Sequence, residues 1–333
     1  RQAGPRLCVR AMALALVASI ASAMAADPRH APLLSWMTSC GAELGPIALG
    51  KSRCGAGGGA FATRTIEEGE EIFSVPSAAC VSLLTACGDE EVGPSLARLV
   101  ATGQGGATVA LAGIIAKEWL CSGAEGPRGP YLAMLPWDAE WPPEGEQEQE
   151  HVLWWSEAQI DSLDGSAAYA DAVSIRDEVA LATRVLTSLI GASVRKAYKD
   201  RGEAVWSVWK ADDDIARAVR GAFVAILSRA FTQEQESDEE KRLVPLLDML
   251  QHATEPNVRH GALYDEATGA QRVVVRARRR IDQGEELLNS YDAGELAPAK
   301  FLTRFGFVPG KTTGEFIQSI GGRKRLPFGF KMY

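Results

Sequence analysis

The feature that most constrains this chain is a widely separated repeat. Ile66-Glu67-Glu68-Gly69-Glu70-Glu71-Ile72 returns far downstream as Ile281-Asp282-Gln283-Gly284-Glu285-Glu286-Leu287. Both copies read I-x-x-G-E-E followed by an aliphatic residue. The glycine falls where a tight turn takes a positive φ, which costs a residue without a Cβ little. Residues 60–66 and 71–76 flank the first turn and read as strands. Residues 272–281 alternate largely with period two, and 286–291 follow the second turn. The expected structure is two hairpins, each closed by its own turn. A single repetition is no solenoid; it suggests two similar small sheets.

The stretch between the copies is helical in pattern. Residues 109–120 and 178–199 read as helices, and residues 31–87 begin with a short helix before their strands. Asp212, Asp213 and Asp214 are read as the opening of a further helix, where carboxylates meet free N–H groups. Its apolar face runs through Ile215, Val219, Ala222, Phe223, Ile226 and Ala230. Acidic stretches at 138–150 and 234–240 interrupt this region and read as solvated loops. The expected fold class is therefore mixed α/β (α+β), small sheets split by a large α-helical insert. The corresponding divisions are 27–95, an insert at 96–240, 241–310 and a tail at 311–333.

Composition narrows the function classes. The chain has 333 residues, with 35 Lys+Arg against 43 Asp+Glu and a formal charge of -8. An acidic total argues against broad coating of nucleic acid, which requires a basic surface to release counterions. Arg272, Arg276, Arg278 and Arg280 share one stretch, where pairing with nearby carboxylates is the expected fate. The cysteines Cys8, Cys40, Cys54, Cys80, Cys87 and Cys121 include no CxxC pair, and four histidines supply no cluster, so no metal site is expected.

Arg6 and Arg10 precede an apolar run at 11–20 and the small-residue stretch Ala21-Ser22-Ala23-Met24-Ala25. Basic flank, short apolar run and A-x-A are the parts of a secretory signal. The stretch also resembles the cleavage region of two-part plastid presequences, without their usual phenylalanine. Residues 1–26 are thus expected to be a targeting segment leading to the secretory route or a plastid. A frayed alanine-rich helix on a cytoplasmic or nuclear protein is the alternative. A membrane span needs about 20 apolar residues; the run is too short, and no later segment is expected to qualify.

Four further segments carry the chemistry. Gly55-Ala56-Gly57-Gly58-Gly59 leads into a strand and lacks the helix and GKS/GKT signature of a phosphate loop. Leu246-Leu247-Asp248-Met249-Leu250-Gln251-His252 joins an apolar run to a polar pair. Tyr291 ends a strand, and Phe305-Gly306-Phe307-Val308 is a compact apolar unit. Each alone reads as a turn, a core histidine, a half-buried aromatic or simple packing.

Their order and spacing together resemble the SET domain, in particular its Rubisco large-subunit methyltransferase-like branch. Residues 43–49, 129–136, 154–158 and 227–231 match further segments of that branch, so the likeness covers about residues 32–310. The resemblance implies small sheets with a chain pseudoknot, and methyl transfer from S-adenosyl-L-methionine to a lysine of a protein substrate. It assigns the cofactor to Ala56, Gly57, Gly58, Gln251, His252 and Tyr291. Tyr291 is also the catalytic tyrosine at the transfer pore. The acceptor side falls to Arg229, Asp248 and Phe305.

Two residues depart from the branch. Gln251 stands where asparagine is usual, and Phe305 where many relatives carry tyrosine. The branch commonly continues into a helical substrate-binding domain, which residues 311–333 are expected to be too few to form, by nature or by truncation. A monomer with a lysine-containing protein partner is expected, without direct nucleic-acid contact. A histidine-directed methyltransferase and a non-catalytic adaptor of the same fold are the rival readings.

Overall fold

The computed structural model describes residues 28–54, 57–103, 105–137, 151–203, 207–231, 241–265, 270–291 and 296–320. The expected targeting segment, the acidic stretches at 138–150 and 234–240, and the end of the tail lie outside the described residues. So does Ala56. Among the described residues the strands are β1 (Glu43–Leu44), β2 (Ile47–Lys51), β3 (Gly58–Ala62), β4 (Glu71–Pro76), β5 (Ala230–Phe231), β6 (Arg242–Leu243), β7 (Gln251–His252), β8 (Val258–Asp265), β9 (Ala270–Ala277) and β10 (Leu288–Asn289). The chain divides into two compact units, one of residues 1–79 and 245–291, the other of 80–244 and 292–333.

In the first unit, a four-stranded antiparallel sheet has the order β1-β4-β9-β8. Strand β4 lies inside it and is buried from Ile72 to Val75, and Val273–Val275 of β9 form a continuous buried run. The period-two alternation expected for that segment is therefore broken at its centre. Arg272 and Arg276 reach Glu43 and Glu71 at 3.3 and 3.0 Å, and Arg280 reaches Glu67 at 3.0 Å. Pairing with carboxylates is thus what these three arginines do.

The two expected hairpins do not form. Strand β3 pairs antiparallel with β2, while β4 turns to β1 and β9. The repeats pair with each other instead. Ile66 and Ile281 exchange both backbone hydrogen bonds at 2.9 Å, and Ala62 N–H donates to Glu285 O, also at 2.9 Å. Gly284 N–H donates to Ala62 O at 2.7 Å and Leu287 N–H to Ala60 O at 2.8 Å. Both isoleucines are fully buried, and Gly69 and Gly284 take φ of +78° and +80°. The turn geometry was correctly read; its partner was not, because pairing across the repeat buries Ile66 and Ile281 together.

The second unit is built on three long helices, Gly106–Ser122, Ala167–Asp200 and Ser207–Arg229, packed against one another. Ser166 caps the second by accepting Tyr169 N–H, so it begins well before residue 178. Asp212–Asp214 do not open the third helix, which starts at Ser207. They sit inside it, Asp212 pairing with Arg195 at 3.2 Å and Asp214 accepting the Tyr198 hydroxyl at 2.9 Å. Ile215 to Ile226 form the expected buried face, while Ala230 leaves the helix for β5. Contrary to expectation, the 20 residues Gly106–Glu125 are long and apolar enough to cross a membrane by composition. Here the helix packs closely: a Cβ on Gly113 would come within 2.6 Å of Leu186.

His151 is wholly enclosed in this unit. Its Nδ1 accepts Leu153 N–H at 3.2 Å, leaving Nε2–H to donate to Arg304 O at 3.2 Å. Burial pushes its pKa down from 6.5 to about 4. The imidazole is therefore neutral in the folded chain and takes up a proton more readily when unfolded. Its stabilising contribution is complete above pH 6.5 and is lost as pH falls toward about 4. Urea unfolding is expected to show a loss of about 3 kcal/mol across this window, and His151→Gln is expected to flatten it.

Candidate active site

The candidate site is built in the first unit, where the repeats meet. Its first component is the turn from β2 into β3. Ser52 N–H donates to Gly57 O at 2.9 Å, closing the turn, and Gly57 takes a φ of +86° that disfavours any side chain. A Cβ at Gly57 would meet nothing within 4 Å, so its backbone faces open space. A Cβ at Gly58 would approach Met249 Cε at 3.2 Å and His30 Nε2 at 3.7 Å. The glycines keep backbone accessible at a surface bounded by a thioether and an imidazole.

The second component follows Leu246, whose φ of 72° and ψ of -44° make it the one non-glycine residue with positive φ among the described residues. This is close to the strained γ-turn, a conformation the surroundings must impose. It leads into a short 3-10 turn, Leu247–Met249, that buries Asp248, and then into β7. Strand β7 lies parallel to β10, with Gln251 opposite Leu288 and His252 opposite Asn289. Ala253 N–H donates to Asn289 O at 2.8 Å and Asn257 N–H to Leu288 O at 3.1 Å. The fully buried Asn257 side chain donates to Glu286 O at 2.8 Å and accepts Leu288 N–H at 2.7 Å. Segment 286–291 is thus stitched to both ends of the 251–257 loop.

These pairings bring the expected residues together. Gln251 Nε2 donates to Gly58 O at 2.7 Å, joining the glycine turn to the polar pair. His252 Nδ1 accepts Tyr291 N–H at 3.2 Å, which puts the proton of the neutral ring on Nε2. The Tyr291 hydroxyl donates to Leu250 O at 3.0 Å, and the His252 and Tyr291 rings lie 5.4 Å apart. Asn289 Nδ2 is buried without a hydrogen-bond partner among the described residues. An orphaned buried donor opposite His252 is a group that a small polar ligand could satisfy.

A family comparison reads the same region. The sequence pattern of the SET domain matches residues 57–292. The chain belongs to the SET domain family. Bovine (Bos taurus) N-lysine methyltransferase SETD6 is 25% identical over 300 residues, covering 87% of this chain and 60% of that protein. The SET domain of LSMT bound to lysine and AdoHcy superimposes with a TM-score of 0.63 at 18% identity, over 84% of this chain and 57% of that one. Rubisco LSMT bound to AdoMet gives 0.61 at 19% identity, over 86% and 57%. At that identity the structures establish the fold. This SET domain chain spans about 60% of the length of the relatives it matches.

The acceptor-side candidates are divided between the units. Asp248 belongs to the first; Arg229 and Phe305 belong to the second. Within the second, Arg304 Nε donates to Leu227 O at 3.2 Å, so the segments carrying Phe305 and Arg229 meet. Phe305 stacks at a tilt on Phe301 and Phe307, with centroids 5.4 and 6.2 Å away. Sequence reasoning missed His30, Met249, Asn257 and Glu286. Only the proximity of Met249 and Asn257 to the Gln251-His252 pair offered a signal.

The amide of Gln251 reaches Gly58 through one more methylene than asparagine has. Gln251→Asn is expected to withdraw that bond and to lower the unfolding free energy by about 1 kcal/mol in urea. Unchanged stability would show that the Gly58 contact contributes nothing.

Proposed function

We propose that this chain is a protein-lysine N-methyltransferase that uses S-adenosyl-L-methionine. The observation that carries the reading is the tie between Gly58, Gln251, His252 and Tyr291 within a SET domain, around an open glycine backbone. The names of its relatives support it. The bovine relative is an N-lysine methyltransferase, and solved Rubisco LSMT structures hold AdoMet or sinefungin and monomethyllysine.

The cofactor supplies, when bound, an electrophilic methyl group on a sulfonium sulfur. Ala56, Gly57, Gly58, Gln251, His252 and Tyr291 are assigned to hold it, Gly57 through backbone that no side chain covers. Lysine with a pKa of about 10.4 is protonated at neutral pH and has no lone pair to attack with. Producing the neutral amine costs about 4 to 5 kcal/mol, and an apolar surrounding lowers that cost by disfavouring the ammonium. The Tyr291 oxygen, with its proton directed to Leu250 O, is placed to accept an N–H from that amine and fix its orientation. Asp248, Arg229 and Phe305 are assigned to the acceptor side. Phenylalanine at 305 offers ring surface and no hydroxyl where many relatives carry tyrosine.

The test is transfer of labelled methyl from the cofactor into a lysate of the source organism, with the labelled residue mapped by mass spectrometry. Labelled lysine is expected. A labelled histidine would move the acceptor to imidazole, and no transfer by folded, cofactor-binding protein would favour an adaptor. Tyr291→Phe is expected to reduce transfer about a hundredfold and to leave the affinity for S-adenosylhomocysteine nearly unchanged.

A further inference from the structure

Glu286 lies in the second copy of the repeat, at a turn whose neighbour Asp282 is exposed, yet it is only 4% exposed itself. Burying a carboxylate is unfavourable unless donors replace the lost water. Among the described residues it forms no ion pair. Oε1 accepts the Ser52 hydroxyl at 2.6 Å and Oε2 accepts the Arg53 backbone N–H at 2.9 Å. Ser52 Oγ in turn accepts Cys54 N–H at 3.0 Å, and Ser52 N–H donates to Gly57 O at 2.9 Å. The carboxylate also lies against β3 at a position where no side chain fits: a Cβ on Gly59 would come within 2.4 Å of Oε1. Arg53 adds a second tie, donating to Gly284 O at 3.1 Å and covering the Phe61 ring at 5.0 Å.

Two oxygens of one side chain thus hold two successive residues of the turn that ends in Gly57 and Gly58. A hydrophobic residue of similar size would fill the same volume and hold neither. We propose that Glu286 is a positioning residue for the cofactor, fixing the Ser52 hydroxyl and the Arg53 backbone N–H and, through the Ser52–Gly57 bond, the two glycines. The inference rests on the S-adenosylmethionine reading above. It adds that the second repeat shapes the cofactor turn by a side chain as well as by strand pairing.

The test uses the full chain, with S-adenosylhomocysteine as the calorimetric probe and amide hydrogen exchange of the ligand-free protein as a second readout. Glu286→Gln keeps the volume and replaces one of the two acceptor oxygens by an NH2 donor, so the Ser52 hydroxyl and the Arg53 N–H can no longer both be accepted. It is expected to weaken S-adenosylhomocysteine binding about tenfold and to speed exchange at the Ser52 and Arg53 amides, which donate to Gly57 O and to Glu286. Ser52→Ala, the milder change, is expected to shift both readouts in the same direction. The double variant is expected to lose less than the two singles combined, because both act through one hydrogen bond. A residue that served stability alone would lower Tm and leave the affinity of the folded variant unaltered. Binding by folded Glu286→Gln and Ser52→Ala within about twofold of the parent would overturn the proposal. Absence of binding by the parent chain would overturn the cofactor reading, and the proposal with it.

Discussion

The backbone pairing of Ile66 with Ile281 is the constraint on which the first unit depends. It joins segments from opposite ends of the sequence through reciprocal 2.9 Å hydrogen bonds under fully buried side chains. From it the chain runs on through Leu287 to β10, which must lie beside β7, and back through Ala62 to the glycine turn. Closing so long a loop is entropically unfavourable. The compensation is local, with aliphatic burial at both isoleucines and four further backbone bonds between residues 60–69 and 277–287.

Around that junction, buried polar side chains act as backbone substitutes. Asn257 replaces strand partners for Glu286 and Leu288, Gln251 for Gly58, and Glu286 for Arg53. Each meets main-chain groups, Glu286 with the Ser52 hydroxyl in addition, so each fixes position as well as stability. The site residues are consequently rigid by construction: Tyr291 is held at its backbone by His252 and at its hydroxyl by Leu250.

The sequence showed the parts more clearly than their partners. Gly57, Gly58, Gln251, His252 and Tyr291 were legible through the resemblance of their motif order to the SET domain, and hydrogen bonds join Gly58 to Gln251 and His252 to Tyr291. The repeated turns were legible from local pattern, since Gly69 and Gly284 need positive φ wherever they pair. The hairpin assignment failed because local strand pattern says nothing about which strand is adjacent. Asp212–Asp214 were misplaced because acidic residues that complete a cap resemble those that meet Arg195 and Tyr198 from inside a helix. The start at Ala167 was hidden because the small buried residues Ala168 and Ala172 give a weak apolar signal. Glu286 was invisible as a site residue: it sits in an acidic turn, and only its burial distinguishes it from Glu67 across the junction.

The central claim is that the methyl donor is held where the glycine turn, the Gln251-His252 pair and segment 286–291 meet. Amide hydrogen exchange with and without saturating S-adenosylhomocysteine tests it most directly. Slower exchange is expected at 57–62, 250–253 and 286–291, with little change across the helix Ala167–Asp200. Binding without protection of those three segments would contradict the account.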